Sequence, residues 1–123
     1  MSEDANDTGR IELKAADRVE GKAAGAWRRA GPINGEGNAI RQLFGAGTLD
    51  GGTGIVEACM NGPFADPNSE DHAPAAGDIV RLADVAIEDF GERAEQVFAT
   101  RAHWIRVAVI SGGNALDTAW WLR

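Results

Sequence analysis

The most regular alternation of apolar and polar positions lies in the last stretch of the chain, Ala102 to Arg123. Two runs rich in β-branched and aromatic residues flank Ser111–Asn114, a pattern typical of a β-hairpin. If Gly112 and Gly113 form the turn, the flanking residues become cross-strand partners. The pairs are Val109–Leu116, Val107–Thr118, Ile105–Trp120 and Trp104–Trp121. This register predicts one apolar face that carries Trp120, and a second face on which Trp104 and Trp121 stack.

A second glycine-rich tip, Thr48–Thr53, lies within the stretch that runs from Asn38 to Asn61. Its Asp-Gly-Gly sequence supplies the positive φ angles that tight hairpin turns need. A turn at the two glycines places Leu43 opposite Met60, whereas a turn at Asp-Gly would bury Arg41. We therefore predict the first register for this hairpin.

Two glycines inside the first strand of this hairpin, Gly45 and Gly47, would weaken it unless a large ring or another backbone lies over them. Trp27 and Trp120 are the candidates for that ring. The sequence therefore predicts that either a large ring, such as one of these tryptophans, or another backbone packs on this strand.

The other segments differ in how clearly they indicate a structure. Residues 10–14 alternate between apolar and charged side chains and predict a short strand. Residues 15–30 fit either a helix or extended segments, because glycines interrupt their helical spacing. Residues 79–99 are rich in β-branched residues, which favours strands, and one continuous helix is the competing interpretation. Residues 31–37 and 62–77 are predicted loops.

These patterns predict one all-β domain, an antiparallel β-sandwich over residues 10–123, preceded by a flexible, acidic N-terminal arm over residues 1–9. The chain has 123 residues and is 44% hydrophobic. That length and composition are typical of a single globular domain with its own core. Its 16 glycines suit many turns better than long helices.

The formal net charge is −7. It argues against a nucleic-acid binder, which needs a basic face, and fits a protein that docks on a basic surface. No apolar run approaches the ~18 residues that a membrane span needs, so we expect no membrane partner. The acidic N-terminal sequence is unlike a secretory signal, so we expect synthesis in the cytoplasm.

Residues that could carry catalysis are few. His72 lies in an acidic loop and His103 enters the last predicted hairpin, and neither accompanies a recognisable nucleophile. The same loop offers four possible oxygen ligands at a spacing similar to that of a calcium loop, Asp66, Asn68, Glu70 and Asp71. It lacks the glycine at the sixth position and the glutamate at the twelfth position that a calcium loop needs. Cys59 stands alone and is predicted to be a small core residue. We predict no enzyme, no cofactor and no metal site.

Three of the four tryptophans cluster on the last predicted hairpin. In the predicted register Trp104 and Trp121 are exposed beside Arg106 and Arg123, and an exposed aromatic pair next to arginines is typical of an interface. With Trp27, these residues form the predicted partner or oligomer interface. The alternatives are burial beneath a second sheet or the alanine-rich segment before residue 31, and stacking on sugar rings.

Several of these segments also resemble a known family. The segment Gly45–Ala58, GAGTLDGGTGIVEA, the turn Met60–Phe64, and Trp104–Val107 before the glycine-tipped Ser111–Gly113 are similar to motifs of small tailed-phage virion proteins. The resemblance covers residues 38–123. It implies a jelly-roll-like antiparallel β-sandwich, commonly trimeric, used for capsid decoration or as a fibre or tail accessory domain.

The sequence and the resemblance together lead to one main hypothesis about function. We expect a non-enzymatic structural virion protein, made in the host cytoplasm, that forms a homotrimer and docks on a phage capsid or tail protein. A carbohydrate-binding adsorption module of a fibre is the first alternative. A small acidic inhibitor or immunity protein is the second.

Overall fold

The computed structural model describes residues 10–30, 39–59, 68–69, 73–91 and 93–123. Over these ranges the chain forms nine strands, which are β1 (Ile11–Lys14), β2 (Lys22–Ala24), β3 (Arg28–Arg29), β4 (Ala39–Thr48), β5 (Thr53–Cys59), β6 (Ile79–Ile87), β7 (Arg93–Thr100), β8 (Trp104–Ile110) and β9 (Asp117–Leu122). The arm 1–9, the loop 31–37 and most of the loop 62–77 lie outside the described residues, so those predictions remain predictions.

The strands form two antiparallel sheets that pack face to face, which confirms the predicted β-sandwich. Sheet A has the order β1-β9-β4-β7, and sheet B has the order β2-β8-β5-β6, with β3 also paired to β8. Apart from two short 3₁₀ turns at Ala15–Asp17 and Ala76–Asp78, no helix occurs among the described residues.

The strand order is that of a jelly roll. With the two-residue β3 set aside and the other strands renumbered along the chain, sheet A reads 1-8-3-6 and sheet B reads 2-7-4-5. This interleaving of two four-stranded sheets from paired Greek keys defines the jelly roll. One consequence is that most connections carry the chain from one sheet to the other, and among the nine described strands only β5 and β6 are sequence neighbours that pair.

The predicted C-terminal hairpin is wrong, because its two strands lie in different sheets. Strand β8 pairs with β2, β3 and β5, whereas β9 pairs with β1 and β4. Residues 111–116 therefore join the sheets as an arch. Alternating apolar residues around a glycine turn satisfy either arrangement, since each strand needs only some antiparallel partner.

The predicted pairing of the second hairpin is wrong for the same reason, since β4 belongs to sheet A and β5 to sheet B. The turn lies at Asp50 and Gly51, with φ values of 47° and 85°, and Gly52 N donates to Leu49 O at 2.9 Å. Asp50 also links this β4–β5 connection to the arch at residues 111–116. Its carbonyl oxygen accepts a hydrogen bond from Gly113 N at 2.8 Å, and its carboxylate accepts one from Ala115 N at 2.9 Å.

The two ambiguous segments both contain strands. Ile79–Ile87 and Arg93–Thr100 form β6 and β7, so the competing continuous helix is wrong. Residues 15–30 contain β2 and β3, and both pair with β8. The predicted strand at residues 10–14 is confirmed as β1, with Ile11 and Leu13 buried between exposed charged residues.

The core centres on the indole of Trp120, which is 0% exposed. A Cβ added at Gly45 would lie 2.7 Å from that ring, so the large ring predicted over this glycine is confirmed as Trp120, whereas the backbone of β9 lies over Gly47. A Cβ added at Gly54 of the facing sheet would lie 2.3 Å from the same ring. Its Nε1 donates to Thr118 Oγ1 at 2.8 Å, and that hydroxyl donates to Leu13 O at 2.8 Å. The buried polar atoms of this tryptophan and threonine thus have partners.

We expect Gly45→Ala to destabilise the fold by about 1–3 kcal/mol, because the new methyl group overpacks the core. It would lie 2.7 Å from both the Phe90 and the Trp120 ring. Urea unfolding followed by fluorescence measures the change. Gly77→Ala is the matched control, since its Cβ meets nothing within 4 Å. Equal midpoints for the two variants would contradict this packing.

Candidate functional site

The outer face of sheet B is covered by an aromatic cluster. Trp27, Cys59 and Trp104 pack together at 4%, 7% and 6% exposure. Asn68 brackets the backbone of Trp27: its Oδ1 accepts from Trp27 N at 2.7 Å, and its Nδ2 donates to Trp27 O at 3.0 Å. The Arg29 guanidinium lies 5.1 Å from the Trp104 ring. Two of the predicted interface tryptophans therefore belong to the packed interior of this layer.

A buried ion triad lies beside the aromatic cluster. Glu57 is 5% exposed, and its carboxylate contacts Lys22 Nζ at 2.7 Å and Arg106 Nη2 at 2.8 Å. Arg106 Cζ also lies 4.5 Å from the Trp27 ring centroid. Arg106, predicted at an exposed interface, is thus held within the protein by a carboxylate and an aromatic ring.

Burial and the neighbouring charges oppose each other at two titratable groups of this layer. Burial raises the pKa of Glu57, but hydrogen bonds and attraction from Lys22 and Arg106 outweigh it, so the pKa lies below its ordinary value. Burial raises the pKa of the Cys59 thiol to about 11, although Arg106 opposes the shift. The Glu57 carboxyl therefore stays ionised at neutral pH, while the Cys59 thiol stays protonated.

The triad predicts acid sensitivity. Because the folded-state pKa of Glu57 lies below the ordinary value of 4.5, its stabilising contribution is complete above that value and is lost as the pH falls through the lowered pKa. We expect Glu57→Gln to lower the free energy of unfolding by roughly 3 kcal/mol at pH 7, because it leaves two half-buried cations unneutralised. The substitution should also flatten the pH dependence of that free energy.

Urea midpoints at pH 7 and at acidic pH measure both effects. The control is Glu12→Gln, since Glu12 forms an exposed pair with Arg10 at 3.2 Å and such pairs contribute well under about 1 kcal/mol. A Glu57→Gln protein as stable as this control would contradict the role of the triad.

Cys59 is predicted to be unreactive in the folded protein, because its raised pKa leaves little thiolate. With an aromatic disulfide reagent at pH 8, we expect labelling on the order of a hundredfold slower than for an ordinary exposed thiol. Ala83→Cys in a Cys59→Ala background supplies that exposed thiol. Equal labelling rates for the folded wild type and this variant would contradict the prediction.

The outer face of sheet A bears an aromatic–arginine pocket. Phe44 and Trp121 are cross-strand partners on β4 and β9, and Ala46 and Arg93 are partners on β4 and β7. Because side chains alternate along a strand, all four point away from the core. The Arg123 guanidinium lies 5.6 Å from the Phe44 ring centroid.

The pocket is a shallow concavity of about 350 Å³, lined by Phe44, Gly45, Ala46, Arg93, Ala94, Trp121 and Arg123. Its described lining contains two guanidinium groups and no side-chain carboxylate. Trp121 is half-buried, whereas the other three tryptophans are buried. Arg10 flanks it, with its guanidinium carbon 6.0 Å from the Trp121 ring centroid. The arrangement can stack a flat apolar group and bind an anion.

An apolar edge patch lies on the same outer face, towards the other end of β7. We define it as Ile40, Val97 and Ala99. Ile40 is 75% exposed and Val97 is 55% exposed. Ile40 and Ala99 are cross-strand partners, and Val97 stands one position along on the outer face, opposite Gln42. Such a contiguous apolar surface at a sheet edge is characteristic of an interaction site.

The structure separates the predicted interface residues into two groups. Trp121 and Arg123 are together in the aromatic–arginine pocket, whereas Trp27, Trp104 and Arg106 lie on the outer side of sheet B. The prediction that Trp104 and Trp121 stack on one exposed face is wrong, because their strands belong to different sheets. The interface role of these residues remains a prediction.

Sequence reasoning missed Phe44, Arg93 and the edge patch. Phe44 stands on the face opposite the buried Leu43 and Gly45, so alternation along β4 could have indicated it. Arg93 has no comparable local signal, since its place depends on the pairing of β7 with β4.

Comparison with protein-family models, with curated proteins and with solved structures finds no match to this chain. No helix in the described ranges is long and apolar enough to span a membrane. Groups of three or more potential metal-ligating side chains do not occur within the part of the chain that the structure describes. Of the four residues compared with a calcium loop, Asn68 alone lies in the described ranges, and it binds the backbone of Trp27.

Proposed function

We propose that this protein is a non-enzymatic structural virion protein that self-associates and docks on a phage capsid or tail protein. The jelly-roll topology supports the proposal, because viral capsid and lectin domains use this fold. The resemblance of residues 38–123 to small virion proteins agrees with it. Because one fold carries many functions, the topology alone does not assign a function, and the proposed self-association is inferred from the exposed surface of sheet A.

The apolar edge patch is the observation that carries the proposal. Strand β7 stands at the edge of sheet A, and its described pairing is with β4 alone. Ile40 and Val97 expose their side chains beside this edge. A second copy of the chain would remove these side chains from water and offer hydrogen-bond partners to the edge backbone. We infer that subunits contact one another here, and a homotrimer is the state that the resemblance implies.

The charge of the chain supports the docking step. A net charge of −7 over 123 residues favours approach to a basic partner surface and disfavours approach to a polyanion. The partner in this proposal is therefore a basic face of a shell or tail protein. Because binding and not catalysis is the mode of action, no reaction is assigned to the site.

A second candidate function is a carbohydrate-binding adsorption module. The specific observation that favours it is the pairing of half-buried Trp121 with Phe44 beside two arginines in the aromatic–arginine pocket. Aromatic rings stack on the apolar faces of sugars, and arginines donate hydrogen bonds to their oxygens. The two candidates use different patches and are therefore separable by mutation.

We expect the protein to be a trimer in size-exclusion chromatography with light scattering, and Val97→Glu to convert it to a monomer. The added carboxylates repel one another across a contact that the apolar side chains stabilise. Ile40→Glu should act in the same way.

The control is Val19→Glu, because Val19 is 74% exposed and belongs to no strand of sheet A, being bridged to Lys22 of β2. It should leave the mass unchanged. A wild-type monomer at all accessible concentrations, or equal dissociation by the Val97 and Val19 variants, would contradict the proposed contact.

A further inference from the structure

We propose that the aromatic–arginine pocket binds a carboxylated sugar, a uronic or sialic acid unit of an acidic glycan. This inference rests on the second candidate function, whose ligand class it names, and it uses a different patch from the proposed self-association. It names a ligand class that combines a flat apolar face with a single carboxylate, because the pocket offers one surface for each.

The platform for the sugar ring is the pair of neighbouring rings. Phe44 and Trp121 stand side by side on adjacent strands, and Trp121 presents part of its indole to solvent. The small residues Gly45, Ala46 and Ala94 complete the pocket and leave it open. Its volume of about 350 Å³ lies in the range of small-ligand sites. One or two sugar rings are the size of ligand that this platform accommodates.

The site for the carboxylate is the pair of guanidinium groups. Arg93 and Arg123 line the same concavity, and the ring of Phe44 supports Arg123 at 5.6 Å. A planar guanidinium presents a fork of N–H donors that matches the two oxygens of a carboxylate. A side chain that already rests on an aromatic ring loses less conformational freedom when it binds.

The charges around the pocket limit the choice of ligand. The chain as a whole carries −7, which repels a nucleic acid or a densely sulfated chain. Glu95 is the cross-strand partner of Phe44 on the same outer face, and it disfavours a second anionic group there. Neither Arg93 nor Arg123 forms an ion pair with another described residue, and a neutral sugar would make no use of their charges. The arrangement therefore fits one carboxylate attached to a ring with an apolar face.

The test is a titration of the full-length protein with four probes. These are trigalacturonic acid, sialyllactose, neutral galactotriose of matched length, and an acidic peptide. Trp121 is the half-buried tryptophan, so its fluorescence should change on saturable binding of an acidic sugar. We expect at least tenfold tighter binding of an acidic sugar than of galactotriose, weakened by added salt. The stronger of the two acidic sugars identifies the source of the carboxylate.

Variants followed by calorimetry test the roles of the residues. Arg93→Gln and Arg123→Gln should each weaken binding of the acidic sugar about tenfold, through loss of a charge-assisted contact, and should leave galactotriose unaffected. Trp121→Ala should abolish binding of both sugars, and Trp121→Phe should retain part of it. Arg81→Gln is the control, since Arg81 is an exposed arginine on sheet B.

Four outcomes would overturn the proposal. They are no saturable binding of either acidic sugar at about 10 mM, equal affinity for galactotriose, binding that both arginine variants leave intact, and binding of the acidic peptide alone. The molecular mass of each variant is measured in the same experiment. A trimer that binds no sugar would refute this inference and leave the proposed self-association standing, and a monomer that binds acidic sugar would do the reverse.

Discussion

The indole of Trp120 fills the space between the two sheets, where two glycines approach it, Gly45 from its own sheet and Gly54 from the facing sheet. Either backbone would collide with the ring if it carried a side chain, so the close approach depends on this set of three residues. The ring makes an edge contact with Phe90, at a centroid distance of 5.2 Å. Its N–H and the Thr118 hydroxyl link β9 to the carbonyl of Leu13 on β1. One buried side chain thus sets both the spacing of the sheets and the pairing of a short edge strand.

The two sheets differ in what covers their outer faces. On sheet B, Glu57 is held by Lys22 and Arg106, and Trp27 packs over the same region. Those charges and rings are satisfied within the chain. On sheet A, the aromatic–arginine pocket and the apolar edge patch remain open to solvent. This asymmetry is why both proposals, self-association and sugar binding, concern sheet A, and why the acid-sensitive triad is assigned to stability.

Local pattern was sufficient to predict an all-β domain and the strands β1, β8 and β9, because side-chain alternation is a property of neighbouring residues, but it left residues 15–30 open between a helix and extended segments. It was insufficient for the pairing of strands. A hairpin and an arch between sheets share the same glycine turn, and the choice between them depends on contacts far apart in sequence, such as Asp50 with Ala115. For the same reason, Trp121 and Arg123 could be chosen from their aromatic and charged neighbours, whereas Arg93 could not. Arg106 was misplaced because its partner Glu57, 49 positions away, gives no sign in the sequence of being buried beside it.

The packing of Trp120 between the sheets is measured most directly by nuclear Overhauser effects in solution. This packing predicts nuclear Overhauser contacts from the indole ring protons of Trp120 to the Hα protons of Gly45 and Gly54, and the ring should shift those Hα resonances upfield. It also predicts cross-strand contacts of β8 with β5 and of β9 with β4. Cross-strand Hα contacts between Val109 and Leu116, without any contact from Trp120 to Gly54, would show a C-terminal hairpin and contradict the account.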